Sequence, residues 1–302
     1  MKRREFITLL GGAAAPRNEC AVGETIRPTR RTQMRHPTVK WFRDSLAGAA
    51  LTAIALISAG AAEPVRLKVA YGQVYAVSGM SFDWTTLYVN VKNIAFQKSL
   101  VMHYKDPVGG SWKDFPLTHF GYYGNYDVFS GANAPVTQEF VIRYAVPGEE
   151  HWDNKDGTNY HIATFAGVVG GNVMLKKATS HIGHESGGGF TFTTSWFDGE
   201  IYVQNLSFNK RVGVHYTADG GTTWHDADGS YAGKVQAVAN VVDSVEIWKF
   251  KTPTLNLVNP DTFRFAVYYE LKDPGPNFSQ THWDNNFSQD YFLGKVDNTT
   301  IQ

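Results

Sequence analysis

The amino-acid sequence contains one unit twice, and this internal repeat limits the possible architecture more than any other feature. Residues 89–114 align without a gap on residues 201–226. A tandem duplication of this kind predicts the same fold for both copies. The identical pairs in this alignment are Val91/Val203, Asn93/Asn205, Phe96/Phe208, Lys98/Lys210, His103/His215, Tyr104/Tyr216, Gly109/Gly221, Trp112/Trp224 and Asp114/Asp226.

A second block of identity closes each copy. Residues 139–146 match residues 264–271, and the tripeptide Trp-Asp-Asn at 152–154 recurs at 283–285. In both places a tyrosine stands six residues after the asparagine. In a chain of 302 residues, a duplication of this extent predicts two domains of ordinary size.

The two copies set the expected domain boundaries. We expect a first domain over 64–163 and a second over 172–297, joined by a small, glycine-rich linker at 163–171. The only cysteine, Cys20, precedes both domains, so neither a disulfide nor a thiolate metal site is available to them. Each domain is therefore expected to rely on its own packed core.

The first 62 residues have the composition of a targeting segment rather than that of a folded domain. Residues 1–15 carry paired arginines and a short apolar run, and they resemble a twin-arginine export signal. A second candidate signal lies at 34–62 and fits a translation start at Met34. Either interpretation predicts an exported bacterial protein, periplasmic or extracellular, whose leader is removed or disordered and leaves no stable membrane span.

Alternation of apolar and polar residues dominates both copies. It places Leu87, Val89 and Val91 on one face of a strand. The corresponding residues of the second copy are Ile201, Val203 and, beyond a break, Phe208. Neither copy shows a long, capped pattern with a helical period. Many short strands separated by turn residues predict an all-β protein with one antiparallel β-sandwich for each copy.

The charge balance and the aromatic content narrow the class of ligand. Lysine plus arginine number 28 and aspartate plus glutamate number 28, so electrostatics give no case for nucleic acid or an acidic membrane as partner. Aromatic residues make up 14% of the chain, with 8 tryptophans and 15 tyrosines. These totals favour a neutral ligand that is recognised by aromatic side chains.

Four tryptophans stand in local patterns that suit a sugar. Trp152 and Trp283 precede an Asp-Asn turn, and Trp112 and Trp224 follow a glycine-containing turn. Because an indole is harder to bury at a hairpin than in the middle of a strand, we expect exposed indoles beside amide groups. A pyranose covers an aromatic plane with its C–H face and bonds to amides with its hydroxyls. The four residues are therefore predicted to bind carbohydrate.

Together these motifs resemble carbohydrate-binding module family 21, the starch- and glycogen-binding domain of fungal glucoamylases and glycogen-targeting phosphatase subunits. The resemblance covers nearly all of 66–297, once in each repeat. It implies immunoglobulin-like β-sandwiches that bind α-glucan without cleaving it. Where family members can carry a stacking tyrosine, this sequence has Val141 and Ala266. The binding residues implied by the resemblance are Trp112, Trp152, Asn154, Trp224, Trp283, Asn285 and Asn286, with Phe96 and Phe208 at a second site.

Two other functions stay open at the level of sequence. A small glycoside hydrolase would need paired carboxylates, for which Asp114 with Asp153, or Asp226 with Asp284, are the recurrent candidates. A glycogen-targeting scaffold for a phosphatase or another enzyme would need a docking peptide. The nearest match to such a peptide is KVAY at 68–71, which is expected to lie in a strand.

Three further patterns are interpreted as structural. The stretch 153–159 offers oxygens suited to calcium, but the second copy lacks them, so we expect no metal and no cofactor. The run at 217–224 fits the Asp-box pattern of sialidase hairpins, where it is a structural turn. His181 and His184 stand near the glycine-rich stretch 183–189, which is expected to be a loop, and we expect both to be solvated.

Overall fold

The structure, a computed structural model, describes residues 63–162, 166–235, 244–256, 261–272 and 280–302. These residues all belong to one compact unit. Within them, the only helical element is a short 3₁₀ turn at Gly170–Asn172, and no helix is long and apolar enough to cross a membrane. The all-β prediction is confirmed. The predictions for the leader, including both export signals and Cys20, lie outside the described residues.

The first repeat forms two antiparallel sheets. One sheet has the strand order β10-β1-β2-β6-β5, and the other has the order β4-β3-β7-β8, with β9 also paired to β7. The strands are β1 Val65–Val77, β2 Met80–Lys92, β3 Ser99–Lys105, β4 Trp112–Pro116, β5 Thr118–Tyr122, β6 Tyr126–Ala134, β7 Glu139–Val146, β8 Glu149–Asp153, β9 Tyr160–His161 and β10 Gly167–Val169.

The second repeat uses equivalent strands, joined into one continuous path with the order β18-β17-β13-β14-β15-β12-β11-β20. Two further strands extend it, since β16 pairs with β12 and β19 with β17. The strands are β11 Val173–Gly187, β12 Phe190–Gln204, β13 Lys210–Thr217, β14 His225–Lys234, β15 Val245–Lys251, β16 Leu255–Asn256, β17 Thr262–Leu271, β18 Thr281–Asp284, β19 Tyr291–Gly294 and β20 Thr300–Ile301.

One strand accounts for the difference between the two sheet arrangements. In the second repeat, β14 pairs with β13 through its first half and with β15 through its second half. In the first repeat, the corresponding strand is divided into β4 and β5, which pair with β3 and β6. The division falls after Pro116, which has no backbone N–H to donate to a ladder.

The alternation read from the sequence corresponds to an inner and an outer face. Leu87, Val89 and Val91 are fully buried in the core of the first repeat, as predicted, and Ile201 and Val203 are fully buried in that of the second. The expectation that Phe208 continues this face is wrong, because β12 ends at Gln204 and Phe208 is fully exposed.

The two repeats do not have separate cores, contrary to expectation. The core of the second repeat includes Tyr126 and Val128, which belong to β6 of the first. The phenol of Tyr126 lies against that of Tyr291, with ring centroids 5.8 Å apart. A smaller cluster lies where the repeats meet, and its buried members are Val69, Val169, Met174, Tyr202 and Val245.

The segment predicted to be a linker is structured where it is described. Residues 167–169 form β10, which pairs with β1 and therefore extends the first repeat beyond residue 163. Gly170 then lies so close to β1 that a Cβ atom placed on it would overlap the carbonyl oxygen of Leu67. At the other end of the chain, β20 pairs with β11 beyond the predicted limit at residue 297.

The glycine-rich stretch at 183–189 is not the loop predicted from its composition. β11 continues to Gly187 and β12 begins at Phe190, so only a two-residue turn separates them. Both turn residues, Gly188 and Gly189, have positive φ angles, which glycine adopts without steric cost. Because these two glycines form the tight turn that a hairpin needs, β11 and β12 stay paired up to the turn.

Candidate functional site

The predicted tryptophans lie on the outward face of one sheet in each repeat. In β3, Leu100, Met102 and Tyr104 point into the core, so His103 points outward. Asp114 of β4 stands directly opposite His103, and Trp112, two residues before Asp114, lies on the same face of the strand. In the second repeat, Asp226 likewise stands opposite His215, and Trp224 lies immediately before β14 begins at His225.

The two tryptophans of the first repeat both contact the same histidine. The imidazole of His103 stacks on Trp112, with centroids 4.9 Å apart and planes 9° apart. The same imidazole meets Trp152 edge-on, at 5.6 Å and 82°. The two indole planes are therefore close to perpendicular. We call Trp112, His103 and Trp152 the first triad.

The second repeat contains the same arrangement. His215 stacks on Trp224 at 4.9 Å and 8°, and meets Trp283 edge-on at 6.0 Å and 79°. We call Trp224, His215 and Trp283 the second triad. The exposed fraction of the four tryptophans lies between 36% and 44%, so the expectation of exposed indoles is confirmed.

A carboxylate holds the histidine of each triad in place. The carboxylate of Asp114 accepts a hydrogen bond from Nδ1 of His103 at 2.6 Å and another from Arg143 at 2.6 Å. The guanidinium of Arg143 also lies over Trp152, 5.7 Å from the ring centroid. These contacts fix the imidazole at the angle at which it joins the two indoles.

The equivalent carboxylate of the second triad is Asp226. It accepts hydrogen bonds from Nδ1 of His215 at 2.7 Å and from Arg211 at 3.2 Å. Burial acts to raise the pKa of Asp226, but the bonds from His215 and Arg211 outweigh it and hold that pKa below its ordinary value. The carboxylate therefore stays charged at neutral pH and can accept further hydrogen bonds from a ligand.

Small side chains lie beside both histidines. Val141 stands directly opposite His103 in the ladder between β3 and β7, and Ala266 stands opposite His215 between β13 and β17. These are the positions where the family resemblance implies a tyrosine. The histidines missed by the sequence analysis are thus a second aromatic element of each surface. Their recurrence in the aligned repeats was the available signal.

The repeated Asp and Tyr of the Trp-Asp-Asn motif stabilise the fold. The carboxylate of Asp153 accepts hydrogen bonds from the backbone N–H of Leu67 at 2.5 Å and from the hydroxyl of Tyr160 at 2.8 Å. It thereby ties the end of β8 to β1. Burial raises the pKa of Asp153, and these hydrogen bonds oppose the shift only in part.

Asp284 makes the same connection in the second repeat. Its carboxylate accepts from the N–H of Leu175 at 2.8 Å and from the hydroxyl of Tyr291 at 2.7 Å, and its side chain is 1% exposed. Asp153, paired with Asp114, and Asp284, paired with Asp226, were the recurrent candidates for the carboxylates of a hydrolase. In the structure, both carboxylates instead accept hydrogen bonds from a backbone N–H group and a tyrosine hydroxyl. Their role is therefore structural.

The three predicted asparagines have different surroundings. Asn154 is exposed, and its side-chain oxygen accepts from the N–H of Gly157 at 3.0 Å. The oxygen of Asn285 accepts from the N–H of Ser288 at 3.1 Å in the equivalent turn. Both side chains retain amide N–H groups for a ligand.

Asn286, which was also predicted to bind the ligand, does not contribute to the exposed surface. It is 2% exposed, and its amide donates to the side-chain oxygen of Asn125 at 3.2 Å and to the carbonyl of Asp290 at 3.0 Å. Its burial arises from contact with the first repeat, which the motif alone could not reveal.

A second aromatic surface surrounds Phe208. This side chain is fully exposed and lines a groove of about 550 Å³ together with Tyr231 and Trp248. The rings of Tyr231 and Trp248 meet edge-to-face at 6.2 Å, and no sequence motif indicated either residue. Phe96 is equally exposed, but the surface depression that it lines contains no other aromatic residue.

The remaining motifs have structural explanations. The carboxylate of Asp219 accepts from the N–H of Thr223 at 2.9 Å and from its hydroxyl at 2.6 Å, which confirms the hairpin interpretation of 217–224. His181 and His184 lie in β11 rather than in a loop, and His181 contacts Asp198 at 3.0 Å. Across the described part of the chain, no group of three or more His, Cys, Asp or Glu residues could hold a metal ion.

The peptide KVAY at 68–71 is inaccessible. It lies within β1, as predicted, and Lys68, Val69 and Ala70 are all buried. Burial is also the main cause that lowers the pKa of Lys68 to about 7. A docking peptide must be free to bind a partner, so this segment does not serve the targeting-scaffold interpretation.

A groove of about 390 Å³ lies between the two repeats. The turns that follow β8 and β18 both line it, so that Trp152 and Asn154 share it with Trp283 and Asn285. Arg66 of β1 also lines the groove, and its guanidinium lies 3.4 Å from Asp284. One aromatic residue of each triad thus borders the same cleft.

Comparison with known proteins identifies the class to which the second repeat is similar. Residues 189–294 match the family described as carbohydrate/starch-binding module (family 21). The matched segment contains Phe208 and all three residues of the second triad. The sequence resemblance to a starch-binding module is therefore confirmed for this part of the chain.

Individual relatives cover limited parts of the chain. This chain is 29% identical to Glucoamylase 1 of Rhizopus oryzae over 111 residues. The alignment covers 37% of this chain and 16% of that protein. The aligned region is thus a small part of that relative. A solution structure of the carbohydrate binding module of the muscle glycogen-targeting subunit of Protein Phosphatase-1 aligns at 24% identity with a TM-score of 0.25, covering 40% of this chain and 77% of that one.

Proposed function

We propose that the protein binds α-glucan polysaccharide of the starch or glycogen type, without cleaving it, through two tandem carbohydrate-binding modules, one in each repeat. The single observation that carries the proposal is the exposed Trp-His-Trp triad, present twice with nearly identical geometry. Core packing alone does not require three aromatic rings on the solvent side of a sheet in both repeats.

The chemistry of the triads suits a neutral sugar. A pyranose ring can place its C–H face on an indole, and burial of that face removes apolar surface from water. Its hydroxyls can then donate to Asp114 or Asp226 and accept from the neighbouring arginines, Arg143 or Arg211. Because each carboxylate is already paired with an arginine and a histidine, the surface carries little net charge. A neutral polysaccharide satisfies this arrangement without a counter-charge.

The second aromatic surface extends the proposal. Phe208, Tyr231 and Trp248 supply a further apolar area on the repeat that matches the starch-binding family. We assign it to a contact that is made only by a polysaccharide longer than maltoheptaose while it is bound at the triads. The sequence of the leader supports an exported location, periplasmic or extracellular, where such a polysaccharide is encountered.

Affinity electrophoresis tests the proposal. The purified protein should be retarded in a native gel that contains soluble starch, and Trp283→Ala should weaken the retardation. The double variant Trp152→Ala/Trp283→Ala should remove most of it, because each indole contributes about 0.5–1.5 kcal/mol of stacking beyond its buried area. Tyr75→Ala is the matched control, since Tyr75 is an exposed aromatic residue in the β1–β2 hairpin. Unchanged retardation of the double variant would refute the assignment.

A further inference from the structure

We propose that the two triads are consecutive parts of one binding track, so that a single linear α-glucan passes from one repeat to the other through the groove between them. This inference rests on the proposed function and specifies how its two sites are connected. According to this inference, the protein has one continuous binding site and not two independent ones.

The aromatic rings form an almost unbroken series. Trp112 contacts His103, and His103 contacts Trp152, which borders the groove. Trp283 borders the same groove and contacts His215, and His215 contacts Trp224. The groove is thus the only interruption in a row of six aromatic side chains. A linear polymer is the ligand shape that can contact such a row from end to end.

The groove offers the chemistry of a sugar site. Its volume of about 390 Å³ is at the lower end of the range of about 300–1,000 Å³ that is usual for ligand pockets. Arg66, Asn154, Asn285 and Ser288 surround it with donors and acceptors suited to hydroxyl groups. Arg66 is partly exposed, so its guanidinium can pair with Asp284 and still donate to a ligand.

The repeats are fixed against each other at this place. The side chain of Asn125 donates to Gln289 at 2.7 Å and accepts from Asn286 at 3.2 Å. The ammonium of Lys92 lies over the ring of Phe287, 5.6 Å from its centroid. A ligand that spans the junction therefore does not have to order two loosely connected domains, which would cost binding free energy.

The duplicated turns have diverged where they meet. Asp156 of the first turn is exposed and lines the groove. The equivalent residue of the second turn is Phe287, which also lines the groove and is buried under the first repeat. Two independent sites need no such difference between their turns. A shared groove does, because both turns line it while the second turn also packs against the neighbouring repeat.

Isothermal titration of the intact protein with maltoheptaose tests the inference. One continuous track predicts one bound maltoheptaose per protein. Trp152→Ala and Trp283→Ala should then each weaken that binding roughly tenfold while leaving one molecule bound, since both side chains contact the same ligand. Tyr75→Ala serves as the control and should match the parent in affinity and stoichiometry.

The alternative outcomes are distinct. If the parent binds two molecules of maltoheptaose, and each single variant loses one of them while the other keeps its parental affinity, the sites are independent and the inference is wrong. That result would leave the proposed function intact. If the parent binds no maltoheptaose and no starch, the proposed function fails, and the shared track fails with it.

Discussion

Three successive residues of β18 show how binding and folding roles are divided within one short motif. His282 packs against Tyr269, Trp283 is exposed, and Asp284 is buried against the first strand of its repeat. The alternation follows from the pleat of a strand, in which neighbouring side chains point to opposite faces. In this strand, the contacts of His282 and Asp284 hold the backbone that presents Trp283 to solvent.

At the residue scale, the sequence predicted the tryptophans but not their partners. A tryptophan beside turn residues indicates exposure through local sequence alone. The stacking of His103 and His215 depends on cross-strand register, which brings residues from separate strands together. The burial of Asn286 depends on the neighbouring repeat, so no local pattern could indicate it.

The histidines should act as positioning residues. We expect His103→Ala and His215→Ala each to weaken maltoheptaose binding by about 0.5–1.5 kcal/mol, because the indoles lose the ring that holds their relative angle. Titration calorimetry measures the change, and His119→Ala, at a histidine of β5 outside both triads, is the control. If the triad variants bind like the parent, the imidazoles are not needed to position the indoles.

At the scale of elements, periodicity predicted the strands well and their ends poorly. The stretch at 183–189 looked like a loop because it is rich in glycine, whereas β11 pairs with β12 up to the turn itself. The split between β4 and β5 depends on Pro116, and the second repeat has no proline there to break β14. Composition indicates where a turn is allowed, while ladder pairing decides how far a strand continues.

One histidine of strand β18, His282, should make the free energy of unfolding depend on pH. Burial lowers the pKa of His282 from its ordinary value of 6.5, and its Nε2 has no hydrogen-bond partner. Above pH 6.5 the histidine is neutral in both the folded and the unfolded state. As the pH falls below that value, the unfolded state takes up the proton first, so the free energy of unfolding decreases until the folded-state pKa is reached.

Urea unfolding at about pH 8 and about pH 5.5, on either side of the ordinary histidine pKa of about 6.5, measures this effect. The loss of stability on acidification should be larger in the parent than in His282→Gln, which removes the titrating group. Because other histidines are present in both proteins, only the difference between them reports on His282. An equal loss in both proteins would show that this residue does not contribute.

At the scale of the whole molecule, the sequence predicted the duplication and the fold class. It did not predict that the repeats share a core, because Tyr126 contacts residues such as Tyr291 that are far away in the sequence and belong to the other copy. The small residues at 163–171 were interpreted as a linker between two domains. In the structure, a glycine is needed at position 170 because the backbone there lies close to the carbonyl oxygen of Leu67.

The junction between the repeats should therefore be sensitive to a single methyl group. We expect Gly170→Ala to lower the free energy of unfolding by about 1–3 kcal/mol, because the added Cβ has no space beside β1. Chemical denaturation measures the change. Gly79→Ala is the comparison. Because Gly79 has open space around it, this variant measures only the cost of a positive φ angle at a residue with a Cβ atom. A Gly170→Ala protein as stable as the parent would contradict the close approach.

The binding surface itself is tested most directly by nuclear magnetic resonance of the tryptophan side chains. With maltoheptaose added to the intact protein, the indole N–H signals of Trp112, Trp152, Trp224 and Trp283 should shift in proportion to the bound fraction. Those of Trp84 and Trp196, which lie in the long β2 and β12 strands outside both triads, should stay in place. Saturation with the sugar without a shift in any of the four triad signals would contradict carbohydrate binding by these residues.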